Sequence, residues 1–178
     1  NVAKEIFHCL GPVIVNDISG GTMDDRMFET IAEMNVPYVL MHIQGTPQDM
    51  QKNPHYEDVV REVYDFLAER IKRLNDLGFD KIIVDQGFGF GKTVAHNYQL
   101  MDKMEIFLEL GYPLLVGVSR KSMICRLLDV TPQEALNGTT VLNTVSLLKG
   151  ANILRVHDVR EAVEAIRIVD AMHFRSIE

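Results

Sequence analysis

The sequence repeats one pattern five times: a short apolar run, then a polar loop, then a longer amphipathic stretch. Apolar runs without clear alternation of apolar and polar residues are typical of strands buried on both faces of a parallel sheet. The five runs are "PVIVND" (12–17), "YVLMH" (38–42), "KIIVD" (81–85), "PLLVGVS" (113–119) and "NILRVH" (152–157). The repeat therefore predicts an α/β fold made of parallel strand–helix units.

The amphipathic stretches carry helix signals. Residues 55–77 place apolar side chains at 3.6-residue spacing along one stripe, and Gly78 follows as a C-terminal cap. Another helix is predicted to begin at 132, where Thr131 precedes proline and Glu134 completes a capping pattern. The helices 132–149 and 159–173 are also apolar enough to be candidate dimer surfaces.

Polar side chains follow every one of the five runs. A doubly wound open sheet concentrates its site at one topological switch point, whereas a barrel collects residues from many strand ends on one rim. The even spread favours a TIM barrel. The residues are Asn16, Asp17, His42, Gln44, Asp85, Ser119, Arg120, Lys121, Arg155, His157 and Asp158.

The length does not suit a complete barrel. Eight units take about 250 residues, and this sequence has 178 residues with five strand candidates. It also opens inside a helix-like stretch, "NVAKEIFHCLG". We expect one domain over residues 1–178 with parallel (β/α) units of a TIM barrel, incomplete at about five of eight units, the N-terminal units being missing.

The loop "DQGFGFGK" (85–92) is the most unusual segment. A mononucleotide phosphate loop requires glycine where Gln86 stands. A dinucleotide loop requires Gly-x-Gly-x-x-Gly, whereas Gly87, Gly89 and Gly91 follow a Gly-x-Gly-x-Gly pattern. What remains is a backbone free to adopt positive φ, with Asp85 at its mouth, which a ligand can approach closely.

Composition excludes some partners. A formal charge of −7 argues against nucleic acid as the main partner. No signal peptide and no apolar run of membrane-spanning length is present, so we expect a cytoplasmic protein without membrane contacts. The two cysteines, Cys9 and Cys125, form no metal-ligand spacing.

Six motifs, in order, resemble the dihydropteroate synthase family. They are "VNDISGG" (15–21), "VLMHIQGTPQDMQ" (39–51), "DQGFGFGK" (85–92), "VGVSRKS" (116–122), "NGT" (137–139) and "LRVHDV" (154–159). The resemblance implies a TIM-barrel transferase of folate biosynthesis and a sulfonamide target. Its reaction joins 6-hydroxymethyl-7,8-dihydropterin diphosphate to p-aminobenzoate, gives 7,8-dihydropteroate and releases diphosphate. A homodimer is expected.

The resemblance also implies how the pterin is held. Asp85 would accept hydrogen bonds from the ring N–H and the exocyclic amino group, since an ionised carboxylate is an acceptor that matches two adjacent donors. Asn16 would pair another edge of the ring, and Lys121 would donate to its carbonyl and a ring nitrogen. The slot around the flat ring would be lined by Met41, Phe90 and Gly117.

The same resemblance assigns the rest of the site. Arg155 and His157 would hold the diphosphate and, with Lys121, form the catalytic set, because positive charge is needed where the leaving group gains negative charge. Ser119 would approach the p-aminobenzoate carboxylate, close to Arg120 and Lys121.

Simpler structural interpretations stay open for several of these residues. Asp17 would form an Asx-turn, Ser119 would cap a helix, and His42 would be satisfied by backbone. Arg155 would form an ion pair with Asp158 or Asp17.

The sequence departs from the family pattern in two ways. Gln86 stands where the family usually has proline. The family's Mg²⁺-binding asparagine, its Thr-Arg-Pro loop and a second pterin-binding aspartate have no counterpart, so Mg²⁺ is implied without a ligand in this chain and turnover is expected to be impaired. Two alternatives stay open: a non-catalytic fragment that binds pterin or diphosphate, and a pterin-dependent methyltransferase domain.

Overall fold

The computed structural model describes residues 2–173. Its strands are β1 Val15–Asp17, β2 Tyr38–Met41, β3 Ile82–Asp85, β4 Leu114–Val116 and β5 Ile153–Leu154. Its helices are α1 Val2–Leu10, α2 Met27–Met34, α3 Val59–Asp76, α4 Val94–Asp102, α5 Ser122–Leu128, α6 Leu136–Leu148 and α7 Val159–His173, with a 3₁₀ helix at Met104–Leu110. None of the described helices is long and apolar enough to cross a bilayer.

The five strands form one parallel sheet in the order β1-β2-β3-β4-β5. All five predicted runs contain a strand, so the predicted α/β class is confirmed. The order is also the order along the chain, without the reversal that marks a doubly wound sheet. Successive strand–helix units therefore advance in one direction, as they do around a TIM barrel.

The sheet is curved so that its two outer strands approach each other at their carboxyl ends. Four strand spacings separate β1 from β5, which is roughly 19 Å in a flat sheet. Nevertheless, Arg155 Nη1, just after β5, lies 3.4 Å from Asn16 Oδ1 in β1. This contact requires the carboxyl ends of the strands to bend into an arc.

The core lies between the sheet and the helices. Leu40, Val84 and Leu114 of the three central strands are fully buried in this core. Helix α3 contributes Leu67 and Leu74, which are also fully buried. Burying one such side chain stabilises the fold by about 1.5–3 kcal/mol, so the apolar stripe predicted for α3 accounts for its position.

Two helices begin later than predicted. Helix α3 begins at Val59 rather than 55, because the Asp58 carboxylate caps it by accepting from the backbone N–H groups of Val60 and Arg61 at 3.0 and 3.1 Å. The expected end holds, since Gly78 follows α3 with φ 75°. Helix α6 begins at Leu136 rather than 132, and the preceding segment forms a turn in which Thr131 donates to Glu134 Oε2.

Candidate active site

The carboxylate of Asp85 is the buried centre of the site. Asp85 ends β3 and is 1% exposed. One oxygen accepts from the backbone N–H of Gly87 at 2.8 Å, and the other accepts from Arg155 Nη2 at 3.1 Å. Met41 is its register partner on β2, so both side chains point to the same face of the sheet.

Arg155 connects three strands. Its guanidinium reaches Asp85 at the end of β3 and Asn16 in β1, while the side chain originates after β5. Gly117 makes room for it, since a Cβ atom there would lie 2.8 Å from Arg155 Nη2. The structure thus brings together Asp85, Arg155, Asn16 and Gly117, which the sequence separates widely.

Lys121 reaches the same cluster from the loop after β4. Its Nζ donates to the backbone carbonyl of Phe88 and lies 4.7 Å from the centre of the Phe90 ring. Burial lowers the pKa of Lys121 to about 8; the negative charge of Asp85 opposes this shift and the positive charge of Arg155 adds to it. The amine is therefore poised close to neutral pH, beside a carboxylate and an aromatic face.

The glycine-rich loop packs closely against its own protein. A Cβ atom on Gly87 (φ 71°) would collide with the carbonyl oxygen of His42, and one on Gly91 (φ 60°) would lie 2.5 Å from the carbonyl oxygen of Gln44. We expected the bare backbone to serve a ligand. At these two glycines it allows the loop to approach the backbone that follows β2.

Ser119 and His157 join the loops after β4 and β5. Ser119 Oγ lies 3.2 Å from the backbone nitrogen of His157, which donates to it, and 2.9 Å from His157 Nδ1. Ser119 is buried and His157 is exposed. Because α5 begins at Ser122 with Lys121 at its N-cap position, Ser119 is not the helix cap.

Arg120 turns to a different set of partners. Its backbone adopts φ 54°. Its guanidinium donates to both carboxylate oxygens of Asp158 at 2.9 and 2.7 Å, and to the carbonyl oxygens of Pro132 and Gln133. The side chain therefore ties three loop segments together, and its predicted approach to p-aminobenzoate would require this network to open.

Asp17 anchors the loop after β1. Its carboxylate accepts from the backbone N–H and hydroxyl of Ser19, the backbone N–H of Gly21 and the hydroxyl of Tyr38, at 2.6–2.8 Å. The predicted Asx-turn is confirmed. Asp17 and Asp158 thus have partners of their own, and the ion pair of Arg155 forms with Asp85 instead.

Two buried polar residues, Lys92 and His42, have partners that the sequence did not predict. Lys92 is 3% exposed; its Nζ donates to the carbonyl oxygens of Gly87 and Phe90 and lies 2.9 Å from His42 Nδ1. His42 was expected to be satisfied by backbone, and its Nδ1 also lies 2.9 Å from Lys92 Nζ. The signal for Lys92 in the sequence is the Gly-Lys-Thr end of the glycine-rich loop.

Gln86, which follows Asp85, is fully buried. Neither its side-chain oxygen nor its side-chain nitrogen has a hydrogen-bond partner among the described residues. A buried unpartnered amide costs stability.

This combination defines the class of protein. Parallel strands arranged as an arc of a TIM barrel carry a buried carboxylate at their carboxyl ends, with Arg155 and Lys121 beside it. The family model described as pterin binding enzyme matches residues 1–157. The chain belongs to the pterin binding enzyme family.

Within that family its relatives are dihydropteroate synthases. The enzyme of Escherichia coli is 44% identical over 164 residues, which are 91% of this chain and 58% of that protein. The enzyme of Bacillus subtilis is 40% identical, over 91% of this chain and 55% of that protein. The chain therefore spans less than two thirds of the length of these relatives.

Solved structures agree. The Yersinia pestis dihydropteroate synthase with a sulfonamide drug complex superimposes with a TM-score of 0.91 at 40% identity, covering 97% of this chain and 63% of that one. The Thermus thermophilus enzyme in complex with 4-aminobenzoate gives 0.90 at 36% identity, covering 97% and 71%.

Proposed function

We propose that this chain forms the pterin site of a dihydropteroate synthase. The observation that carries the proposal is the Asp85 carboxylate, buried at a strand end and paired with Arg155, which also contacts Asn16; the charge of Lys121 lies nearby. A buried carboxylate discriminates strongly, because a ligand without matching donors would leave it unpaired. The adjacent N–H donors of a pterin match its two oxygens.

The proposed reaction is the one that the resemblance to dihydropteroate synthases implies. The amine nitrogen of p-aminobenzoate attacks the methylene carbon of the pterin diphosphate, and the carbon–oxygen bond to diphosphate breaks with its electron pair on the oxygen. The attacking nitrogen, protonated after bond formation, then loses its proton to the solvent. No covalent enzyme intermediate is required, so the chain needs only to orient the two substrates and stabilise the leaving charge.

The cations divide these tasks. The ammonium group of Lys121 lies over the Phe90 ring, where it can donate to the carbonyl oxygen of a bound pterin. We propose that the pterin takes over the Asp85 oxygen that Arg155 now contacts, so that the guanidinium fork is released toward the diphosphate with His157. Ser119, held against His157, would face the p-aminobenzoate carboxylate.

Other features belong to the proposal as well. Mg²⁺, which the family resemblance implies, would have its main ligand outside this chain. A cytoplasmic location is supported by two unpaired cysteines. A homodimer through α6 and α7 is supported by the exposed apolar side chains Val141, Leu148, Val163 and Ile168.

Sulfonamide binding is a further part of the proposal, because a relative has been solved with such a drug. On this chain the drug would occupy the position of p-aminobenzoate near Ser119.

The deciding experiment measures diphosphate release with pterin diphosphate alone, with p-aminobenzoate alone and with both. Release that requires both substrates, even at a low rate, supports the synthase. Pterin affinity without release would favour the non-catalytic binding fragment, and preference for a methylated folate would favour the methyltransferase domain. Absence of any pterin binding by calorimetry would refute the proposed site.

A further inference from the structure

Lys92 is a buried cation that the proposed reaction does not use. It is the last residue of the glycine-rich loop, is 3% exposed, and is the lysine of a Gly-Lys-Thr segment that lacks the first glycine of a phosphate loop. Taking a charge out of water is costly, so its burial requires compensation. The structure supplies three acceptors for its single ammonium group.

Those acceptors come from two loops. Lys92 Nζ lies 3.0 Å from the carbonyl oxygen of Gly87 and 3.0 Å from that of Phe90, the two ends of one turn. It also lies 2.9 Å from Nδ1 of His42, which follows β2. An ammonium has three N–H donors, so the number of donors equals the number of acceptors.

The turn held by Lys92 carries three parts of the pterin site. The Gly87 N–H donates to Asp85 Oδ1. The carbonyl oxygen of Phe88 accepts from Lys121, and the ring of Phe90 lies beneath the ammonium group of Lys121. Every one of these contacts depends on the position of the 87–90 turn.

The hydrogen bonds survive loss of the ammonium proton. Burial lowers the pKa of Lys92 to about 7, with Asp85 opposing and Lys121 adding to the shift. Burial, followed by Lys92 and Arg70, also lowers the pKa of His42 far below its usual value, so the ring is neutral. A neutral amine keeps two N–H donors for the carbonyl groups and accepts from His42 when that ring carries its proton on Nδ1.

We propose that Lys92, anchored by His42, is a positioning residue that fixes the 87–90 turn so that Asp85, Phe90 and Lys121 take the geometry required for the pterin ring. The inference deepens the proposed function and rests on it for the identity of the ligand. Lys92 itself is not expected to contact the substrate.

The test compares Lys92→Met with Lys81→Met. Methionine keeps the length of the side chain and removes its donors. Lys81 is a matched control, because it also donates to a backbone carbonyl, that of Asn35 at 2.9 Å, but from the opposite end of β3. The probes are 6-hydroxymethylpterin and inorganic diphosphate, titrated separately by calorimetry at pH 7.5.

Lys92→Met is expected to weaken pterin binding roughly tenfold or more, as misplacement of orienting groups does, while diphosphate affinity stays within twofold of the unaltered chain. General destabilisation would weaken both ligands together. The amide resonance of Gly87 should shift in Lys92→Met and stay in place in Lys81→Met, and this readout needs no ligand.

Unchanged pterin affinity together with an unmoved Gly87 resonance would overturn the role of Lys92. If the unaltered chain binds no pterin, the proposed function fails, while the Gly87 resonance still decides whether Lys92 holds the turn. If Lys92→Met does not fold, His42→Phe removes one acceptor and keeps a ring against Phe66 and Tyr56. His42→Phe must then weaken pterin binding and leave diphosphate binding unchanged. If pterin binding is not weakened in this variant, the proposal is overturned.

Discussion

Arg155 Nη2 and Asp85 Oδ2 lie 3.1 Å apart although 70 residues separate them in the chain. The two side chains differ in environment, since that of Asp85 is 1% exposed and that of Arg155 is 38% exposed. The carboxylate is therefore fixed, whereas the guanidinium has water on one side and room to change partners. This asymmetry sets the expected effects of altering either residue.

Replacing Asp85 with asparagine should weaken pterin binding by about 1–3 kcal/mol, because an amide nitrogen would face a ring donor in place of a second acceptor. Calorimetric titration with 6-hydroxymethylpterin measures the change. Asp76→Asn is the control, since Asp76 pairs with Lys72 on the exposed face of α3. Equal pterin affinity in Asp85→Asn and the unaltered chain would show that Asp85 does not bind the pterin.

Arg155→Gln should reduce affinity for inorganic diphosphate by about 1.5–3 kcal/mol, the contribution of a hydrogen bond to a charged group. Arg155→Lys should recover only part of the loss, because an ammonium cannot reproduce the planar fork. Arg160→Gln serves as the control, because Arg160 pairs with Glu164 on the surface of α7. Full diphosphate affinity in Arg155→Lys would show that this position requires only a positive charge.

Gln86→Met should raise the free energy of unfolding by about 1–3 kcal/mol, since it removes two buried polar atoms without partners at nearly constant volume. Urea denaturation followed by circular dichroism measures the difference. The exposed residue Gln99, changed in the same way, should move it by less than about 0.5 kcal/mol. A destabilised Gln86→Met variant would indicate that a buried water completes the amide.

The ion pair between Arg120 and Asp158 should make stability depend on acidic pH. The hydrogen bond from Arg120 holds the pKa of Asp158 below its usual value, so the unfolded chain takes up this proton at higher pH than the folded chain does. The contribution is present above about pH 4, the ordinary value for aspartate, and is lost as pH falls further. The stability difference between the unaltered chain and Asp158→Asn should therefore be largest near pH 7 and shrink toward pH 3.

Urea denaturation at several pH values tests this expectation, with Asp25→Asn as an exposed control. A difference for Asp158→Asn that stays constant from pH 7 to pH 3 would contradict the assigned role of the ion pair.

The sequence predicted the fold well because burial leaves a direct trace in residue type. Strands buried on both faces must be apolar throughout, and α3 must repeat its apolar residues at helical spacing. The exact limits were less accessible. The start of α3 depends on the carboxylate of Asp58, and the late start of α6 depends on a local turn at Thr131.

The clustering of the candidate site residues was predictable, but the partners of each residue were not. Polar residues at parallel strand ends converge on one rim, and Asp85 and Arg155 are in contact there. Arg120 has the same residue type as Arg155, but its backbone at φ 54° directs the side chain to Asp158. Backbone angles of this kind and the burial of Lys92 emerge only once the chain is folded.

The contact between Asn16 and Arg155 has a mechanical consequence. In the described part of the chain, β1 and β5 lie at opposite ends of the sheet and meet through side chains rather than through paired backbone. A ligand that binds Asn16, Asp85 and Arg155 at once would link the first, third and fifth strands. Its binding energy would then add to the stability of the whole arc against unfolding, so the free energy of unfolding would rise with ligand concentration.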